Sequence, residues 1–364
     1  VSASLAEDPI RRWLLDRVGS GLFPGGAWWI GDDGEAVSRG AAGAASLVPA
    51  PEEASENTPY DLASLTKPLA TALVAVMLEE EGRIDLDAPA VLWLQELDGT
   101  AYSGVSLLDL GAHRAGLPAW HPLYLEADTA DGYVRRIAVL DPVAEAGAEL
   151  YSDLGYLLLG KAVERAASCS LERLFQQKIA GPLGLEATGF ARGAEKFGRA
   201  AATEWGNEYE RSLAGGRGDS FGWRTEVIRG EVHDQNAHHV GGVAGHAGLF
   251  GTASEVAAVA GEILRPRLLA LGPSGRERML RPVAPGAGRT FGFATAAGSG
   301  AARGVLPDDA PGHTGFTGTS VWLDPGRGRC YVLLTNRVHP RATGSDFQPQ
   351  RLEFHRLAAA IPAR

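Results

Sequence analysis

Between Asp8 and Val18 the apolar residues Ile10, Trp13, Leu14 and Val18 fall on one helical face, with charged residues between them, which predicts an amphipathic helix. The period then changes. Gly25 to Ile30 and Ala36 to Gly43 read as two strands joined at Gly31-Asp32-Asp33-Gly34, a hairpin signal. A polar segment from Pro49 to Pro59 leads into an apolar helical run that begins at Ser64 and stops near Gly82. From Ile84 to Ile228 helical patterns broken by Gly and Pro dominate, among them Tyr156 to Ala167 and Leu171 to Ile179, the latter followed by a turn at Gly181-Pro182-Leu183-Gly184. Glu204 to Arg229 is rich in Gly and charge and has no period, as expected of a long excursion near the mouth of a site. A helix over Ser254 to Leu264 follows. Strand character returns at Arg289 to Thr295, Thr314 to Leu323 and Cys330 to Thr335, before a last helix from Gln348 to Ala360.

Strands, helices, strands and a closing helix imply one sheet built from both chain ends with a helical lobe inserted between them, an α/β class. The expected division is a sheet domain from 1–82 and 241–364 and a mainly helical insert over 83–240. A chain of 364 residues, 45% hydrophobic and 21% charged, suits a globular protein with a large core. The net charge of −10 argues against nucleic acid or an anionic membrane as partner. The apolar run Leu69 to Leu78 is too short to span a bilayer. The first twenty residues carry Glu7, Asp8, Arg11, Arg12, Asp16 and Arg17 and no apolar core of a signal peptide, so a cytoplasmic location is expected. Cys169 and Cys330 have neither metal-type spacing nor the numbers of a disulfide framework.

Ser64-Leu65-Thr66-Lys67 places a hydroxyl and an amine one helical turn apart on the same face. A serine hydroxyl is a weak nucleophile until a neighbouring base helps remove its proton. Lysine occurs only at 67, 161, 178 and 196, against thirty arginines, and only Lys67 has a Ser or Thr three residues before it. An arginine could not serve there, because guanidinium keeps its proton. The motif alone is common, and a helix-capping Ser with a surface Lys is its bland equivalent. Two later segments give it partners: Tyr151-Ser152-Asp153 at the start of a helix in the insert, and His313-Thr314-Gly315-Phe316-Thr317-Gly318 where a late strand begins. Alone, Tyr151 would be a half-buried core aromatic and His313 a strand-end residue.

The order SxxK, Tyr triplet, HTG resembles the penicillin-recognising serine hydrolases, which include class C β-lactamases, penicillin-binding proteins and related esterases and D-peptidases. Asp61-Leu62-Ala63-Ser64, His113 to Pro118 and Gly312 to Asp324 are similar to the class C branch. Val232 to Ala237, Gly241 to Gly248 and Gly312 to Ser320 are similar to intracellular amidases of peptidoglycan recycling that release peptide from N-acetylmuramic acid. The resemblance implies a β-lactamase/transpeptidase-like fold with a central antiparallel sheet flanked by helices. It implies Ser64 as nucleophile, Lys67 as proton relay, Tyr151 as base and then acid, and the backbone N–H groups of Ser64 and Phe316 as oxyanion hole. Asp153, His313, Thr314 and Gly315 would bind substrate, Gly315 where substrate approaches the strand backbone closely. A phenol is a poor base at neutral pH unless a cation stabilises the phenolate, and Lys67 and His313 are the available cations.

Two departures bear on the substrate. Asp153 stands where an Asn would both donate and accept, and an ionised Asp beside Lys67 favours the ammonium. His313 replaces a Lys, and a largely neutral ring anchors a carboxylate less firmly. Both favour an amide or ester over efficient penicillin turnover. Reading Ser152-Asp153-Leu154 as a degraded Ser-Asp-Asn remains an alternative register. The expected activity is acyl-enzyme hydrolysis of an amide or ester on muramoyl-peptide-like, cell-wall-derived material, without metal or organic cofactor, the only partner being a small molecule or short peptide. A class C β-lactamase, a general carboxylesterase and a non-catalytic binder of peptidoglycan fragments are the rivals. His233, Asp234, His238, His239 and His246 lack metal-ligand spacing and suit a structural or substrate-lining loop. Arg217, Asp219 and Arg224 read as solvated surface, His113 as a hydrogen-bonded packing residue. No GxxxxGK[ST] or GxGxxG occurs.

Overall fold

The computed structural model describes residues 8–191 and 197–363; Glu7 and Lys196 lie outside the described residues. Asp8 caps helix α1 (Pro9–Gly19) by accepting from the Ile10 N–H at 2.8 Å, and Ile10, Trp13 and Leu14 are its buried face. β1 (Gly25–Asp32) and β2 (Glu35–Ser46) form the expected hairpin. Its turn is tighter than the sequence suggested, because Asp33 and Gly34, with φ of 51° and 89°, supply the positive values that a two-residue hairpin turn requires.

Short β3 (Glu52–Glu53) lies outside β2, and β7 (Ala294–Thr295), β8 (Pro311–Thr314), β9 (Ser320–Asp324) and β10 (Arg329–Thr335) come from the far end of the chain. They assemble as a seven-stranded antiparallel sheet in the order β3-β2-β1-β10-β9-β8-β7. The central strands are buried on both faces. Trp28, Ile30, Tyr331 and Leu333 pack under α1 and the C-terminal helix α12 (Gln348–Ala359), where the Trp13 and Phe354 rings lie 5.9 Å apart. Their alternate neighbours Ala27, Trp29, Val332 and Leu334 belong to the larger core on the opposite face. Burial of both faces removes the apolar/polar alternation, leaving near-continuous apolar runs.

The larger core extends through α10 (Ala253–Leu264) to α2 (Leu73–Glu80) and α5 (Asp153–Ala167). Around these lie α3 (Leu107–Gly111), α4 (Ala130–Ala138), α6 (Leu171–Phe175), α7 (Gly181–Leu183), α8 (Glu208–Ala214), α9 (Gln235–His239) and α11 (Pro273–Leu280). A small second sheet, β4 (Tyr60–Asp61), β6 (Leu249–Gly251) and β5 (Gly189–Phe190), ties the segment before Ser64 to the chain after His246.

The structure redraws several expected elements. The strand expected from Thr314 to Leu323 is two strands, and the HTG triplet ends β8 instead of starting a strand. A turn over 315–319 reverses the chain, closed by Gly315 N–H to Thr319 O at 2.9 Å. Of the strand expected from Arg289, only Ala294–Thr295 pairs with β8. The helix expected from Ser64 is a 3-10 turn (Ala63–Leu65), a wide π turn (Lys67–Ala72) and then α2, and π turns are often found at functional sites. The turn expected at 181–184 is taken up by α7, which continues α6 through a second π turn, 176–180. Inside the unperiodic excursion lies α8, and α11 had no apolar period to betray it.

The glycine-rich segment before β6 packs backbone to backbone. A Cβ on Gly245 would lie 2.0 Å from Tyr156 O and 3.0 Å from Gly160 Cα, both on α5, and Gly245 O accepts from Thr71 Oγ1 at 2.7 Å. The segment is therefore wedged between α5 and the π turn that carries Lys67. Gly245→Ala is expected to push α5 away and to cost roughly 1–3 kcal/mol of stability, read as a lower denaturant midpoint; an unchanged midpoint would contradict this packing.

Candidate active site

The nucleophile turn is held by its own neighbours. The buried Asp61 carboxylate accepts from the Ala63 N–H at 2.8 Å and from the His233 N–H at 2.8 Å. Ala63 adopts a φ of 47°, uncommon for a residue with a Cβ, directly before Ser64. Across the gap, Thr317 Oγ1 donates to Asp61 O at 2.8 Å and Thr319 Oγ1 to Leu62 O at 3.1 Å. These bonds seat the β8–β9 turn, with Phe316, against the serine.

Ser64 Oγ accepts hydrogen bonds from Lys67 Nζ and from Tyr151 O–H, each at 2.8 Å. Lys67 is completely buried, and its remaining donors go to Asp153 Oδ1 at 2.7 Å and His246 O at 3.3 Å. Burial opposes the Lys67 charge, but the Asp153 carboxylate and Tyr151 outweigh it and hold the amine above its ordinary range. Burial likewise raises the Tyr151 phenol, with Lys67 working the other way. The resting pair is an ammonium beside a neutral phenol. Neither has a lone pair facing the Ser64 hydroxyl until the pair loses a proton.

Tyr151 is aimed by the segment read as packing. Leu150 N–H donates to His113 O at 2.9 Å, Ser152 N–H to His113 Nδ1 at 3.0 Å, Ser152 Oγ to Pro118 O at 2.6 Å and Asp153 N–H to Ala119 O at 2.9 Å. The His113 ring lies 4.5 Å from that of Tyr151. Ser152 caps α5 through the Gly155 N–H, so its hydroxyl is used structurally while Tyr151 faces Ser64. The Tyr-first register is the one the geometry supports.

Ser64, Tyr151, Asp153, His313, Thr314, Gly315 and Phe316 all line one cavity of about 480 Å³, with Lys67 buried behind the serine. Two expectations change. Burial, with Lys67 and Arg289 nearby, drives His313 well below its ordinary range, so it is neutral and supplies no cation to a phenolate. Its Nδ1 lies 2.9 Å from Thr314 O, which requires the proton there and leaves Nε2 as a buried acceptor with no partner among the described residues. Gly315 is required by the protein itself: its Cβ would sit 2.1 Å from Thr319 Oγ1 and 2.7 Å from Leu62 O, on the side of the nucleophile turn.

Sequence reasoning missed three arginines in this cavity, Arg289, Arg337 and Arg351. Arg289 lies 5.4 Å from the Tyr151 ring centre and forms no ion pair with a described carboxylate. It is the second cation beside Tyr151, in the place expected of His313. Arg337 Nε donates to Phe316 O at 2.8 Å and Arg351 to Gly315 O at 2.5 Å, fixing the turn's carbonyls. In a chain with thirty arginines none of these stood out.

A second cavity, of about 120 Å³, shares Ser64, Asp153 and Phe316 with the first and is also lined by Asp61, Trp120, Tyr209, Glu210, Asp234, His233 and His246. Of the histidine cluster only His233 and His246 line this cavity, and each ring pairs with a carboxylate: His233 with Glu204 at 2.9 Å and His246 with Asp234 at 2.9 Å, while His238 and His239 lie by Glu231 at 3.8 Å and Asp128 at 3.4 Å. Arg217 and Asp219 are exposed as expected. Arg224 is not: it is half-buried and donates to Asn207 Oδ1, Val232 O and His233 O, anchoring the excursion to the cavity wall.

Comparison with known proteins gives the family. A family model described as Beta-lactamase matches residues 10–353. A protein of Escherichia coli O157:H7 named "Putative D-alanyl-D-alanine carboxypeptidase" is 30% identical over 389 residues, covering 96% of this chain and 86% of that protein. Among solved structures, a class C beta-lactamase variant superposes with a TM-score of 0.74 at 17% identity, covering 98% of this chain and 99% of that one. EstCE1, a hydrolase with promiscuous acyltransferase activity, gives 0.72 at 21% identity, covering 96% and 97%. A penicillin-binding protein homologue from Caulobacter crescentus gives 0.73 at 18%, covering 97% and 96%. At these identities the likeness is one of fold, and no helix among the described residues is long and apolar enough to cross a membrane. The chain belongs to the beta-lactamase family and is one of its serine hydrolases.

Proposed function

We propose that this hydrolase cleaves an amide bond in a cell-wall-derived peptide through a Ser64 acyl-enzyme, releasing an amine that carries a carboxylate close to the broken bond. The observation that carries it is the unpaired Arg289 guanidinium beside Tyr151, in the same cavity as Ser64. Tyr151 is the group positioned to protonate the leaving nitrogen, so the leaving group occupies the arginine-lined cavity. A C-terminal amino acid meets that description, in keeping with the carboxypeptidase name of the relative above. A muramoyl-peptide amidase releases a longer peptide with no carboxylate required near the scissile bond. Of the segments that suggested one, Val232 to Ala237 and Gly241 to Gly248 supply the Gly245 contact and the histidine–carboxylate pairs, which have structural roles of their own.

The proposed sequence starts with the substrate carbonyl oxygen between the Ser64 and Phe316 N–H groups, each such donor being worth about 3–4 kcal/mol to the oxyanion. Ser64 Oγ attacks the carbonyl carbon as its proton passes to the Lys67–Tyr151 pair. Tyr151 delivers a proton to the leaving nitrogen as the C–N bond breaks, and Arg289 holds the departing carboxylate. Water then takes the amine's place, gives its proton to the same pair and releases the acid, restoring Ser64. Asp153 keeps the Lys67 charge in place throughout.

Ser64→Ala is expected to lower kcat/KM on an acyl-D-alanine substrate by ~10⁴-fold or more and to abolish labelling by a fluorescent phosphonate; full activity would end this assignment. The reactive state has one proton fewer than the resting ammonium–phenol pair, and both groups are held above their ordinary values. Accordingly kcat/KM should climb with pH on the alkaline side. Asp153→Asn removes the charge that keeps the proton on Lys67, so the ascending limb should move to lower pH; an alkaline shift would refute the assignment. Arg289→Ala should raise KM about tenfold to hundredfold for a free C-terminal carboxylate but not for the C-terminal amide, any fall in kcat through the lost cation beside Tyr151 being shared by both; an equal rise in KM on both substrates would disprove the carboxylate site.

A further inference from the structure

The 120 Å³ cavity has a composition that the acyl-transfer chemistry does not use. Four carboxyl side chains line it, Asp61, Asp153, Glu210 and Asp234, and among the described residues its basic lining is His233 and His246. Asp153 is neutralised by Lys67 and Asp234 faces His246, while Asp61 is satisfied by backbone N–H groups. Glu210 differs from all three. It is 5% exposed, its Oε1 accepts from the Gln235 N–H at 2.8 Å, and its Oε2 has no partner among the described residues. A buried carboxyl with an idle oxygen is costly unless a ligand satisfies it. The nearby Arg224 does not do so: its Nε, Nη1 and Nη2 donate to Asn207 Oδ1, Val232 O and His233 O, and Glu210 Oε2 is left without a partner among the described residues.

Aromatic walls complete the picture. Trp120 and Tyr209 line the cavity, with the Tyr209 ring 4.9 Å from that of Phe316. A carboxyl lining one cavity with an indole and a phenol is a setting in which cations gain from both charge and ring quadrupole. Burial and the neighbouring Asp234 hold the Glu210 carboxyl well above its ordinary range, and an arriving cation reverses that balance by giving the carboxylate a partner.

The side of the substrate follows from Tyr151. Tyr151 lines the arginine cavity and not this one, so the group whose nitrogen it protonates departs the other way, and the acyl substituent lies against Glu210. We infer that the acyl half of the substrate carries an ammonium or guanidinium group, a few bonds from the scissile carbonyl, that is bound between Glu210 and the Trp120 and Tyr209 rings. The cavity has room for an alkylammonium. This assignment rests on the acyl-enzyme mechanism proposed above for its orientation, but not for the binding itself.

Two measurements separate the two. First, kcat/KM is compared for an ω-aminoalkanoyl-D-alanine and the isosteric alkanoyl-D-alanine with methyl in place of ammonium. The wild type should prefer the ammonium compound about tenfold to hundredfold, the range of one charged hydrogen bond. The ratio should fall to about one in Glu210→Gln, which keeps an oxygen for the Gln235 N–H, and be partly retained in Glu210→Asp. Second, the whole chain is titrated calorimetrically with an alkylammonium chloride and with the matching alcohol. Saturable binding of the ammonium alone, lost in Glu210→Gln, is expected whether or not either substrate is turned over. Turnover of both substrates at equal rates, or ammonium binding that survives Glu210→Gln, overturns the inference and leaves the hydrolase intact. Ammonium binding without any turnover or Ser64 labelling overturns the mechanism instead.

Discussion

One buried charge organises this molecule. The Lys67 ammonium has no contact with solvent, and an isolated ammonium in that position would be untenable. It persists because three acceptors meet it, and they come from three distant parts of the chain: Ser64 from its own turn, Asp153 from the start of α5 and His246 O from the loop before β6. The helical insert and the sheet are therefore locked together at the nucleophile. Any displacement of α5 or of the 245–246 loop leaves the ammonium short of a partner, which gives the resting site one geometry.

That constraint gives the backbone contacts around it a purpose. Gly245 and Gly160 let a loop and a helix approach until their backbones touch, which brings His246 O to Lys67. Gly315 performs the same service on the other side, letting the β8–β9 turn reach Leu62. Glycine-rich words in such motifs invite a substrate-centred explanation. Here their small size serves the assembly of the nucleophile turn, and the substrate meets the side chains that this assembly leaves facing the cavities.

What the sequence disclosed and what it hid follow from the same physics. The hairpin was legible because Asp33-Gly34 is a local signal, and the sheet's assembly from both chain ends because apolar strand runs flank helical ones. Lys67 was legible because lysine is scarce in this chain. The break at Gly315–Thr319 was hidden, since Thr314 before it and Ser320, Val321 and Trp322 after it read as one strand, and only pairing across the turn reveals two. Arg289 was hidden for the opposite reason to Lys67: one arginine among thirty carries no signal until the fold sets it over Tyr151. Glu210 lay in a stretch without period, and its idle oxygen is a property of three-dimensional neighbours alone.

The two cavities that meet at Ser64 have opposite character, and this supplies direction as well as affinity. Arg289, Arg337 and Arg351 line one side, and Asp346 and the Lys67-bound Asp153 are the acids among them. Four carboxyl groups line the other. A peptide with a cation in its acyl half and a carboxylate in its leaving half gains on both sides in one orientation. Reversed, it sets its carboxylate among carboxyls and its cation among guanidiniums, and in a partly desolvated site such like-charge contacts are costly. In the proposed mechanism, the orientation that remains presents the leaving nitrogen to Tyr151 and the carbonyl to the Ser64 and Phe316 N–H groups. Charge placement thus performs part of the alignment that acyl transfer needs, before any catalytic hydrogen bond to the substrate has formed.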